Sequence, residues 1–139
     1  MEYRIEAITL PVSDVDRAKT FYEKAGWTLD VDTEPAPGFR VVQLTPTGSP
    51  TSITFGTGMP QSEPGSYVNT YLVVSDIGVA HAELKARGIP VTEIFHWGDQ
   101  GQTPGTDPAR GDYGSYATFA DPDGNVWLLQ EVPSRASNR

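Results

Sequence analysis

The tripeptide Val12-Ser13-Asp14 recurs 62 positions later as Val74-Ser75-Asp76, in a chain of 139 residues. The same offset carries Leu10 onto Leu72, Val15 onto Ile77, Ala18 onto Ala80 and Gly26 onto Gly88. An in-register repeat of this length means two copies of one supersecondary unit, each too small to bury a full core alone. The chain is therefore read as a single domain made of two modules, 1–62 and 63–132. A tail, 133–139, is expected to be disordered.

Each copy starts as a strand. Ile8, Leu10 and Val12 alternate with Ala7, Thr9 and Pro11, and Thr70, Leu72 and Val74 alternate with Asn69, Tyr71 and Val73. This is the period-2 pattern of a half-buried strand. A helix follows each time. Ser13 is expected to cap the first, with Asp14 and Asp16 favourable in its first turn and Gly26 suited to the left-handed position that ends it. The second is expected over Ser75–Arg87, with Ile77, Ala80 and Leu84 as its apolar stripe. After the helices come segments with strand propensity: Trp27–Asp32, Arg40–Leu44 and Ser52–Gly56, then Val91–Phe95, Ser115–Phe119 and Val126–Glu131. The fold class is α+β, βαβββ twice. The stretch 98–114, rich in Gly, Pro and Asp, reads as an extended loop.

Charge and composition exclude several functions. Asp plus Glu is 18 and Lys plus Arg is 10, a formal charge of −8. Neither a nucleic-acid surface nor a polybasic membrane surface is compatible with that balance. No apolar run reaches the ~18 residues of a membrane span, and no signal-peptide pattern opens the chain, so the expected location is cytoplasmic. Cysteine is absent, which removes disulfides, thiolate nucleophiles and Cys-ligated zinc. Only His81 and His96 represent histidine.

Leu10-Pro11-Val12-Ser13-Asp14, with Ala18 and Phe21-Tyr22, resembles the opening of the vicinal oxygen chelate superfamily. Phe119-Ala120-Asp121-Pro122-Asp123-Gly124-Asn125, ahead of Trp127 and Glu131, resembles its closing motif. The superfamily holds glyoxalase I, extradiol dioxygenases and the fosfomycin- and bleomycin-resistance proteins. The resemblance spans residues 3–132 and implies two βαβββ modules whose curled sheets form a cup. In its metalloenzymes a His/Glu quartet from the first and last strands holds a divalent ion. The matching positions here are Ala7, Thr54, Asn69 and Leu128. Two of these side chains donate nothing and the other two are neutral, so no metal and no cofactor are expected. The same resemblance places His81 and His96 on opposite sides of the sheet.

Alternation assigns the lining of such a cup to Ala7, Thr9, Thr54, Asn69, Tyr71, Val73, Tyr116, Thr118, Leu128 and Gln130. Phe39 and Trp97 at loop–strand junctions are suited to stacking on a flat ligand. The lining is apolar and aromatic with sparse hydroxyls and amides, as in small-molecule pockets. Two functions stay open. One is a metal-independent binder that sequesters an aromatic or cationic natural product, resembling bleomycin-resistance proteins and, like them, expected to be a homodimer. The other is a metal-free isomerase, lyase or cyclase, with His96, Asp99, Asp112 or Tyr113 as acid or base. A metal-dependent glyoxalase or dioxygenase ranks behind both, and no catalytic residue is assigned.

Overall fold

A computed structural model describes residues 1–138. The chain divides into two compact units. The first holds Met1–Tyr67 together with Asp121–Asn125, and the second holds Val68–Ala120 with the remainder of the chain. The division falls a few residues after the repeat boundary at 62. It also lends a five-residue turn from late in the sequence to the first unit.

The first unit contains β1 (Ala7–Thr9), α1 (Val15–Lys24), β2 (Thr28–Ala36), β3 (Phe39–Thr45) and β4 (Ser52–Thr57). Its sheet runs β1-β4-β3-β2, with β1 parallel to β4 and the other pairs antiparallel. Pairing of Ile8 with Ile53, and of Leu44 with Ile53, puts these residues on one face. Val42, Leu44, Ile53 and Phe55 are buried there with Ala18 and Tyr22 of α1. The Tyr22 ring lies 4.8 Å from Trp27 and 6.3 Å from Phe55, centroid to centroid. Burial of each such side chain contributes about 1.5–3 kcal/mol, which anchors the helix to one face of the sheet.

The second unit contains β5 (Thr70–Val74), α2 (Ile77–Ala86), β6 (Phe95–Gly98), β7 (Gly101–Pro104), β8 (Ser115–Ala120) and β9 (Val126–Glu131). Its sheet runs β5-β9-β8-β6-β7, again with one parallel pair, β5 with β9. Leu72 pairs with Leu129 and Ala117 with Leu129, so they share a face with Trp127 and Phe119. That face is covered by α2 through Ile77 and Leu84, both buried. The α+β class is as the repeat predicts, and the first unit is βαβββ, but the second carries one strand more than expected, βαββββ, because β7 is added.

Four local expectations need correction. Asp14 and Asp76, not the serines before them, cap the helices, accepting from the amides of Arg17 (3.0 Å) and Val79 (3.1 Å). Ser13 is engaged elsewhere, its amide and hydroxyl both donating to Asp123. Val91–Phe95 is not a strand: Val91 makes one isolated bridge to Phe119, and regular pairing resumes only at Phe95. The extended loop over 98–114 contains a strand, β7, which forms a tight hairpin with β6 around Asp99-Gln100. The tail expected to be disordered forms a 3₁₀ helix over Pro133–Asn138, with the amide of Ser134 donating to Asp112 at 3.0 Å. Arg139 lies outside the described residues.

Candidate functional site

The face of the second sheet that α2 leaves open carries four aromatic side chains, Tyr71, Phe95, Trp97 and Tyr116. Register pairs Tyr71 with Leu128, Leu128 with Thr118, Gln130 with Tyr116, and Tyr116 with Phe95. Trp97, two residues beyond Phe95, points the same way by strand alternation. The rings form a ladder: Phe95 stacks on Tyr116 at 5.7 Å and meets the Trp97 ring edge-on at 6.0 Å. Trp97 is 62% and Tyr71 57% exposed, whereas Leu128 is only 7% exposed and forms the floor between them.

Beside the ladder opens a cleft of about 470 Å³, with Thr92, Glu93, Ile94 and Phe95 on one wall and Gln102, Pro104 and Thr118 completing it. Its origin is local. Thr92 is tied to β8 by its amide, which donates to the Thr118 carbonyl at 2.8 Å, and by its hydroxyl, which accepts from the Thr118 amide at 2.9 Å. The chain then leaves β8 over residues 92–94. The Ile94 carbonyl instead accepts from the Gly105 amide at 2.8 Å, at the far end of the β6–β7 hairpin. A bulged segment and an added hairpin thus hold the cleft open.

The loop between β7 and β8 is organised by acids. Asp107 accepts from the amides of Ala109 and Gly111 while its own amide donates to the Ser115 hydroxyl. Arg110, at φ +48°, reaches back to Glu131, and Tyr113, at φ +65°, donates its amide to the Glu131 carbonyl at 2.8 Å. The Tyr113 carbonyl accepts from the Tyr116 hydroxyl at 2.6 Å, which orients one ring of the ladder. Hydrogen bonds from the side chain and amide of Ser134 hold the Asp112 carboxyl below the usual carboxylate range.

The sequence-predicted site residues separate between the units. Ala7, Thr9 and Thr54 lie together on the open face of the first sheet, with Thr9 directly opposite Thr54. Phe39 is on the same sheet, 40% exposed, four residues along β3 from Gln43, the partner of Thr54, or about 13 Å. Tyr71, Trp97, Tyr116 and Leu128 share the open face of the second sheet, and Asn69 stands just before β5 in the left-handed region, φ +57°. Alternation missed Glu93, Gln102 and Pro104, which line the cleft. The Gly98-Asp99-Gln100-Gly101 punctuation between two short β-prone runs was the available hairpin signal.

The donor set does not fit a divalent ion. At the positions where the metalloenzymes carry ligands, Ala7 and Leu128 offer no donor atom, and the Thr54 hydroxyl donates to the Val42 carbonyl at 3.1 Å. Among the described residues no three His, Asp or Glu side chains cluster closely enough to hold a metal. The two histidines are not on opposite sides of the sheet: pairing with Ser115 points His96 to the side that α2 covers. His96 is engaged through Nδ1 with the Gly105 carbonyl at 2.7 Å. His81, on α2, buries its Nε2. No described helix is long and apolar enough to cross a membrane.

The model of the Glyoxalase/Bleomycin resistance protein/Dioxygenase superfamily matches residues 4–129. The chain belongs to this superfamily. Within it, the fold is similar to that of TnmS3 from Streptomyces sp. CB03234, described as an antibiotic binding protein. The two are 32% identical, the match covers 94% of this chain and 97% of TnmS3, and the TM-score is 0.71. A second superfamily protein, from Sphaerobacter thermophilus DSM 20745, is 28% identical over 94% of this chain and 98% of its own, with a TM-score of 0.70. YetH of Bacillus subtilis (strain 168) is 23% identical over 130 residues, 92% of this chain and 98% of YetH.

Proposed function

We propose that this superfamily member binds and sequesters a flat, aromatic small molecule without a metal or other cofactor. The observation that carries the reading is the ladder Tyr116–Phe95–Trp97, half-buried at its first two rings and exposed at Trp97, beside an open cleft of about 470 Å³. Solvent-exposed rings offer a flat ligand both apolar area and offset-stacking geometry, and a volume of this size lies in the range of drug-sized sites. Similarity to an antibiotic binding protein at 32% identity supports the same reading. So does the chemistry of Ala7, Thr54, Asn69 and Leu128, which favours metal independence. Three of the four acid–base candidates are held by structural partners, His96 by Gly105, Asp112 by Ser134 and Tyr113 by Arg135, and the fourth, Asp99, stands exposed at the tip of the β6–β7 hairpin. That arrangement favours retention of a ligand over its conversion. The reading includes a cytoplasmic homodimer, to be checked by fractionation and light scattering.

The test is incubation of the full chain with a panel of polycyclic aromatic natural products, followed by native mass spectrometry and analysis of the released ligand. Ligand recovered unchanged at one per site is the expected result, whereas repeated turnover would replace the binder with the metal-free enzyme. Trp97→Ala should weaken binding by about tenfold, the value of a lost aromatic pair plus its buried area. A stoichiometric divalent metal found by elemental analysis, and required for binding, would overturn metal independence.

A further inference from the structure

Within the second unit Glu93 is the one charged residue among those that line the cleft. The other lining residues are uncharged, and Gln102 alone among them carries an amide. Glu93 makes no hydrogen bond or ion pair with another described residue. This sets it apart from the acids that build the fold: Asp32 is clamped by Lys19 and Arg40, Glu131 by Arg110, and Asp123 by Ser13 and Arg17. An unengaged anion at an aromatic cleft has its full hydrogen-bonding capacity free for a ligand. The adjoining ladder adds electron-rich ring faces, which attract cations through the ring quadrupole. The chain's net charge of −8 adds long-range attraction of the same sign.

We propose that the cleft selects flat ligands bearing a cationic nitrogen, an amine or amidine, and that Glu93 is the residue that reads this charge. The inference rests on the small-molecule reading above and specifies its ligand class. On binding, the ring system covers Phe95 and Trp97 while the ammonium or amidinium N–H donates to the Glu93 carboxylate. A charge-assisted bond partly shielded from water is worth more than an exposed ion pair, about a tenfold gain in affinity. Neutral ligands of equal shape gain the stacking without that bond.

Calorimetric titration of the full chain with two tricyclic probes of matched size tests this: a diaminoacridinium dye, cationic at neutral pH, and neutral acridone. The wild-type chain should bind the dye about tenfold more tightly, with the preference shrinking as salt is raised. Glu93→Gln should bring the two affinities within about twofold of one another and leave that for acridone unchanged. Glu93 is exposed, so the variant should fold normally, which its melting curve verifies. Equal binding of both probes by the wild type, or a preference that survives Glu93→Gln, overturns the assignment of Glu93 while leaving the binding reading intact. Failure of both probes to bind overturns the binding reading itself, and this inference with it.

Discussion

Arg110 closes both arms of its guanidinium on Glu131, donating from Nε to Oε1 at 3.0 Å and from an Nη to Oε2 at 2.5 Å. The glutamate side chain is fully buried and the arginine half exposed. Glu131 Oε2 also accepts from the Ile77 amide at 2.8 Å, so one carboxylate ties the β7–β8 loop and the start of α2 to β9. Glu131→Gln should destabilise the fold by about 2 kcal/mol, since hydrogen bonds to a buried charge are replaced by neutral ones. Arg110→Met should be worse, because it strands a buried carboxylate with its helix amide and no counter-charge. Urea unfolding of both variants gives the order, and a smaller loss for Arg110→Met would show that the pair does not neutralise Glu131.

Tyr22 and Asp121, 99 positions apart, meet in the first unit: the phenol donates to Oδ2 at 2.8 Å in a buried site. Asn125 donates from Nδ2 to the same oxygen at 2.9 Å and to the Pro11 carbonyl at 2.8 Å, while its Oδ1 accepts from the Tyr67 amide. Tyr22→Phe removes one donor and leaves the rest of this network standing, a loss of about 1–2 kcal/mol. Asn125→Ala removes three bonds at once and should cost more. Equal midpoints for wild type and Tyr22→Phe in chemical denaturation would show that the phenol bond contributes nothing.

These two contacts explain how far sequence alone carried the fold and the site. Strand alternation and the 62-residue repeat depend on neighbours in the chain, so the sheet faces and the helices were legible. Gly26 and Gly88 do adopt positive φ, at +96° and +77°, as helix ends require. The helix cap was misplaced by one residue because Ser13 bonds Asp123, a partner 110 positions away that no local rule can supply. The site followed the same division. Alternation placed Tyr71, Tyr116, Thr118 and Leu128 on one face, but Glu93 enters the cleft only because Thr92 is pinned to Thr118 and the chain then departs from β8.

Acid should erode the first unit through Asp32. Hydrogen bonds from Arg40 and then Lys19 hold its carboxyl well below the usual carboxylate range. A carboxyl depressed in the folded state stabilises fully above its unfolded value, about 3.9, and loses that contribution as pH falls below it. Asp32→Asn should therefore melt lower than wild type at neutral pH, and the gap should narrow steadily once the pH drops below about 4. A gap that stays constant from neutral pH into that acid range would show that the ion pairs contribute nothing to stability, the fate of many surface pairs.

Two glycines of the first unit separate steric from conformational demand. A Cβ on Gly56 would stand 1.8 Å from the Arg40 carbonyl oxygen and 2.9 Å from Met59 Sδ. The oxygen belongs to the neighbouring strand β3, so relief requires β3 and β4 to part. Gly48 lies in a turn at φ +79° with nothing within 4 Å of an added Cβ. Gly48→Ala should thus cost about 1 kcal/mol, the price of a left-handed L-residue. Gly56→Ala should cost about 3 kcal/mol or more and broaden the unfolding transition if the sheet loosens. Thermal and urea unfolding of the two variants check the contrast, and equal losses would mean that the close approach at Gly56 is readily relaxed.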